Sequence, residues 1–201
     1  YRGYGAGADL LLRRLAAGED WRAAAPKLFG GGSYGNGAAM RVAPLGAYFA
    51  PDLERVAHEA RKSAEVTHSH AEGQAGAIAV GIAAALACSP ACPRGRDFIS
   101  AVGEWVPEGD TKDGMRDAQD IGPRSLNLAA RKLGTGLRVS AQDTVPFCIW
   151  IASHSLHDFE RALRRIVQLP GDLDTNCAIV GGIIACSSSP VPKDFVDCRE
   201  P

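Results

Sequence analysis

The stretch Asp52-Leu53-Glu54-Arg55-Val56-Ala57-His58-Glu59-Ala60-Arg61-Lys62-Ser63-Ala64 decides the fold class. Its apolar residues Leu53, Val56, Ala57, Ala60 and Ala64 fall at i, i+3, i+4, i+7 and i+11. That spacing puts them on one stripe of an α-helix, with charged residues on the opposite side. Working outward, Phe159, Ala162, Leu163, Ile166 and Val167 repeat the pattern after Asp158, and Glu160 and Arg164 add an i,i+4 pair on the wet side. Segments 8–17, 20–28, 37–49, 96–105, 115–133, 144–153 and 174–186 read as further helices, the fifth broken near Gly122-Pro123. Breaks fall at Phe29-Gly30-Gly31-Gly32, from Ser89-Pro90 to Pro93, over 107–114, over 134–136 and at Pro170-Gly171. Strand signals are scarce. The expectation is an all-α, compact orthogonal multi-helix globule: one domain over 1–186, then a tail over 187–201 with three prolines and little packing.

The chain has 201 residues, enough for a sizeable core. With 22 Lys and Arg against 23 Asp and Glu, the formal net charge is −1, which supplies no attraction to nucleic acid or an anionic membrane. The longest apolar run, 75–87, contains Gly76 and Gly81 and falls short of the roughly 20 residues that span a bilayer. It reads as a buried helix of small residues. No membrane span is expected. Among the six cysteines there is no C-x-x-C, and Cys148, Cys177 and Cys186 lie in apolar runs where a free thiol behaves as a small hydrophobe. Cys88 and Cys92 flank a Ser-Pro turn and could pair or stay free. A reducing cytoplasm and a monomer are the expectation.

Two segments could carry chemistry. In Pro170-Gly171-Asp172-Leu173-Asp174-Thr175, two carboxylates at i and i+2 and a hydroxyl can converge hard oxygens on Mg²⁺, Mn²⁺ or Ca²⁺. The commoner reading of so short a motif is a helix start, in which Asp or Thr caps free backbone N–H groups. In Gly30-Gly31-Gly32-Ser33-Tyr34-Gly35-Asn36-Gly37, five of eight residues are glycine, which lets backbone amides approach an anion. A plain turn between helices is the competing reading. A dinucleotide-binding interpretation fails because the preceding segment looks helical, and no Gly-Lys-Ser/Thr follows for a P-loop. His68 and His70, two apart, would diverge on a helix and so do not suggest zinc. Glu65, Glu72 and Glu104 read as solvated. Trp21, Trp105 and Trp150 read as core or surface anchors.

Taken together, Arg2-Gly3-Tyr4-Gly5, the block from Gly32-Ser33-Tyr34-Gly35-Asn36-Gly37 through Met40-Arg41 to Leu45-Gly46, Thr67-His68, Thr144-Val145-Pro146-Phe147 and Gly171-Asp172-Leu173-Asp174-Thr175 resemble, in order and spacing, the ADP-ribosylglycohydrolase family. The resemblance implies an all-α hydrolase that removes ADP-ribose from modified protein side chains, with two Mg²⁺ (or Mn²⁺) ions at the floor of the ligand cleft. It implies that Asp172, Asp174 and Thr175 are the C-terminal half of the metal site. Ser33, Tyr34, Gly35, Asn36 and Gly37 would hold the diphosphate and adenosine side, and His68 would line the distal ribose. ADP-ribose or an ADP-ribosylated protein would be the partner. The family's second metal segment, Thr-Asp-Asp-Thr, precedes the Arg-Gly-Tyr-Gly stretch, and this chain contains no Asp-Asp pair. The main catalytic carboxylate is therefore expected upstream of Tyr1, and these 201 residues alone are expected to turn over weakly or not at all. The alternatives are a non-catalytic ADP-ribose-binding module and a crystallin-like structural relative.

Overall fold

The computed structural model describes residues 4–187 and 190–198. Thirteen α-helices follow one another among the described residues: α1 (Ala6–Ala16), α2 (Trp21–Ala24), α3 (Gly37–Arg41), α4 (Ala43–Phe49), α5 (Leu53–Glu65), α6 (Ala71–Ala87), α7 (Gly95–Gly103), α8 (Asp110–Gln119), α9 (Leu126–Leu133), α10 (Val145–Ser153), α11 (Phe159–Ile166), α12 (Leu173–Ala185) and α13 (Lys193–Asp197). A 3-10 segment, Ala25–Gly30, follows α2. The one β-type pairing among them is an isolated antiparallel bridge, Gly35 to Ser140. The all-α expectation holds.

Helix α5 forms as its stripe requires. The Asp52 carboxylate accepts from the Arg55 backbone N–H at 3.0 Å and caps the first turn, while Val56, Ala60 and Ala64 are buried against α6. Helix α6 is buried on nearly every side, with α3, α4 and α5 packed on it and α10 and α12 also in contact. Small residues permit this crowding. A Cβ at Gly46 of α4 would run into the Gly81 carbonyl of α6, so the two helices cross with backbones almost touching. Trp150 of α10 lies fully buried beside this core and donates its indole N–H to the Ile121 carbonyl at 2.9 Å.

Three predicted elements differ in detail. Segment 20–28 is a single turn of α-helix followed by 3-10 geometry, and the chain then kinks at Leu28 and Phe29, where Phe29 has φ +53°. Segment 37–49 splits at Val42, with Pro44 in the first turn of α4, where its missing N–H costs nothing. The 115–133 region breaks near Gly122-Pro123 as expected, but its first helix begins earlier, at Asp110. The cause is Glu72, expected to be solvated. Its half-buried carboxylate accepts from the Asp110 N–H (2.8 Å), the Thr111 N–H (2.9 Å) and the Thr111 hydroxyl (2.6 Å), satisfying the free donors of α8. In the tail, α13 has no buried residue, although Phe195 meets Phe159 edge-on at 5.7 Å between ring centroids. All six cysteines are free thiols, so Cys88 and Cys92 are unpaired with each other. No helix among the described residues is long and apolar enough to cross a membrane.

Candidate functional site

The glycine-rich loop and the Asp-x-Asp-Thr segment meet. The carboxamide of Asn36, 3% exposed, donates to Oδ2 of Asp172 at 2.8 Å and contacts the Thr144 hydroxyl at 3.1 Å. Asp172 stands at the N-cap position of α12, yet its side chain makes no capping hydrogen bond. The helix-cap reading of this residue therefore fails: its carboxylate is turned toward the loop and not back onto its own helix. The Asp174 carboxyl lies below the ordinary carboxylate range, first through its hydrogen bond with Asp172 and then through the backbone N–H groups of Asp174 and Thr175. These two carboxylates thus form an adjacent pair of hard oxygen donors at a helix start. The Thr175 hydroxyl is 6% exposed and directed at the Met40 sulfur, 3.6 Å away, which ties α12 to α3.

A segment the sequence offered only as a break holds the pair in place. The Thr135 carbonyl accepts from the Asp172 N–H (3.0 Å) and from the Asn176 carboxamide (2.9 Å). Gly136, at φ +84°, leaves room for the Asp172 side chain, where any Cβ would collide with it. The same segment folds on itself through Asp143, 6% exposed, which accepts from the Arg138 N–H at 2.8 Å and pairs with the Arg138 guanidinium at 3.3 Å. It then pairs with the glycine loop, the Ala141 N–H donating to the Tyr34 carbonyl at 2.9 Å beside the Gly35–Ser140 bridge. Thr135, Gly136, Ser140 and Asp143 carry no spacing signal, because each acts across a loop and not along a helix face.

On its other side the glycine loop rests on the turn from Val66 to His70. A Cβ at Gly35 or Gly37 would come within 3.2 Å of the His68 Nε2, so both glycines make space for the imidazole. His68 and His70 lie outside any helix but do diverge: His70 caps α6 by accepting from the Glu72 N–H at 3.1 Å and meets the Tyr34 ring edge-on. Arg41 donates to the Thr67 hydroxyl at 2.8 Å and to the Ser63 carbonyl at 2.8 Å. The Thr67 oxygen in turn hydrogen-bonds His68 Nδ1, 2.7 Å away, which fixes the ring with Nε2 facing the loop. Burial and, secondly, the Arg41 cation push the His68 pKa down to about 4, which keeps the ring neutral. Ser33 is nearly buried and accepts from the Gly35 N–H at 3.2 Å, shaping the turn, while the Tyr34 ring is exposed. The Ser69 hydroxyl, against Gly32, is buried without a hydrogen-bond partner among the described residues.

Asp172 and Asp174 fit a hard divalent cation in donor type, but no group of three or more His, Cys, Asp or Glu suited to a metal occurs among the described residues. These two carboxylates supply part of an octahedral shell. What the fold and site define is an all-helical protein in which a glycine-rich loop abuts two carboxylates at a helix start. The chain belongs to the ADP-ribosylglycohydrolase family, whose family model matches residues 1–199. It is 32% identical over 163 residues to an uncharacterized protein of Archaeoglobus fulgidus, covering 80% of this chain and 52% of that one. It is 27% identical to the ADP-ribosylhydrolase ARH3 of Mus musculus and of Homo sapiens, each match covering 90% of this chain and 57% or 58% of the relative. The chain thus spans little more than half the length of these relatives.

Proposed function

We propose that this chain supplies the ligand cradle and half of the metal site of a Mg²⁺-dependent hydrolase that releases ADP-ribose from modified protein side chains. The observation that carries this reading is the Asn36–Asp172 hydrogen bond, which couples the amide-rich loop to the carboxylate pair. Asp172 and Asp174 would hold the ion, with Thr175 alongside. Bound magnesium would supply positive charge at the ribose diol and lower the pKa of an attacking water. The scissile bond is the N- or O-glycosidic bond at the distal ribose, cleaved through an oxocarbenium-like transition state: water oxygen bonds to the anomeric carbon and the leaving side chain takes a proton.

The remaining roles belong to residues of this chain. Backbone amides of 33–37 bind diphosphate oxygens, and the nearby start of α3 adds little because that helix is short. Neutral His68 hydrogen-bonds a ribose oxygen through Nε2. The Asp172 carboxylate, held by Asn36, keeps its orientation. A reducing cytoplasm and a single working copy complete the reading.

Titration with ADP-ribose, with and without Mg²⁺, tests the proposal. Mg²⁺-enhanced binding lost in Asp172→Ala and Asp174→Ala supports it, with Mg²⁺ affinity weak for a partial ligand set. Metal-independent binding indifferent to both substitutions would favour a non-catalytic ADP-ribose module. No binding of either would leave the crystallin-like structural reading.

A further inference from the structure

A group of arginines lies at the other end of α9 from the carboxylate pair, between the Pro123–Leu126 turn and α11. Here a cavity of about 610 Å³ is lined by Arg124, Arg161, Arg164 and Arg165 together with Asp158 and Glu160. The acidic pair is already engaged. Glu160 accepts from Arg164 at 2.7 Å, and Asp158 accepts from the Arg161 backbone N–H at 2.9 Å as the cap of α11. Arg124, Arg161 and Arg165 therefore face the cavity with no carboxylate partner among the described residues.

Arg165 is the informative member. It is 9% exposed, lies over the Trp150 ring with its Cζ 4.7 Å from the centroid, and has only neutral acceptors: the Pro123 carbonyl at 2.8 Å and the Ser155 hydroxyl at 3.4 Å. A guanidinium does not shed its proton at accessible pH, so it stays charged when buried. Burying such a charge without a counter-ion is costly, and a second cation nearby adds repulsion. Arg161 is that second cation, since its charge bears directly on Arg165. An adjoining cavity of about 440 Å³ shares Asp158 and Arg161 and is lined by Arg94 and His154. Three arginines without a carboxylate partner lining one cavity are complementary to a ligand that carries several negative charges and several oxygen acceptors.

The geometry points to a diphosphate-bearing small molecule as the occupant, held by Arg124, Arg161 and Arg165 in a site separate from the glycine loop. The volume lies in the range of small-molecule pockets and leaves room beyond a single phosphate. Pyrophosphate is the probe. In EDTA-containing buffer, calorimetric titration of the whole chain should show saturable binding, with inorganic phosphate weaker. Arg124→Gln and Arg161→Gln, both on exposed residues, should each weaken the Kd about tenfold or more, as expected for losing one charge-assisted hydrogen bond. A binding component that depends on these arginines, lost in the Arg124→Gln/Arg161→Gln double variant while any binding at the glycine loop remains, separates this site from the ligand cradle and from the proposal of the preceding section. A Kd and stoichiometry identical in wild type and double variant would overturn the assignment, as would no binding in the wild-type chain.

Discussion

Acidification should destabilise this protein through His68 before most carboxylates begin to protonate. In the folded chain its pKa is pushed down to about 4, chiefly by burial and then by Arg41. In the unfolded chain a histidine titrates near 6.5. Above that value both states hold the ring neutral, so His68 contributes no pH dependence. Between about 6.5 and 4 the unfolded chain takes up a proton that the folded chain resists, and stability falls as pH falls; below about 4 the slope ends. A gap of about 2.5 pH units at roughly 1.4 kcal/mol each bounds the loss near 3.5 kcal/mol, and solvent reaching the partly open ring lowers the expectation to about 1–3 kcal/mol. For a chain of this size that is about 3–10 °C in Tm. Urea denaturation of the wild type and of His68→Gln, from about pH 7.5 to 4, measures it. The wild type should lose that much stability relative to the variant. His154, lowered in the same direction by burial and by Arg165, contributes to both proteins and cancels. Parallel stability curves, or an imidazole NMR titration with its midpoint near 6.5, would refute the account of His68 as a buried neutral imidazole.

Asn36→Ala removes the donor that holds Asp172 and should cost about 1.5–3 kcal/mol of stability in chemical denaturation, together with lower ADP-ribose affinity. Gly46→Ala tests the α4–α6 crossing: helix propensity would gain roughly 1 kcal/mol, but the new methyl meets the Gly81 carbonyl, and overpacking of about 1–3 kcal/mol or more should win. Gly181→Ala, whose added Cβ would find its nearest neighbour at 3.6 Å, should keep the propensity gain, so the two variants should shift Tm in opposite directions. Glu72→Ala frees two backbone donors of α8 and the Thr111 hydroxyl and should destabilise by about 2 kcal/mol, whereas Glu72→Gln, which retains one acceptor, should cost less.

What the sequence makes legible here is whatever depends on near neighbours in the chain. The stripe through Val56, Ala60 and Ala64 identifies a helix and its buried face because an α-helix brings i, i+3 and i+4 together whatever lies around it. The same reasoning finds that Asp172 and Asp174 share a helix start. Read locally it also offers Asp172 as a helix cap, although the partner this carboxylate takes, Asn36, lies 136 residues away. Glu72 is the converse case. Alone on α6 it reads as solvated, yet it caps a helix that begins 38 residues later. Both carboxylates are placed by a pairing of loops or helix ends, where no periodicity exists to read. The residues that make such pairings possible leave a fainter trace, in glycines. Gly35 and Gly37 admit His68, Gly109 admits the Glu72 carboxylate and Gly136 admits Asp172. Each marks a place where a polar side chain from a distant segment passes too close for a Cβ. In this chain the candidate site is therefore better located by its glycines than by its charges, and substitution of Gly136 by alanine should disturb Asp172 as surely as substitution of Asn36.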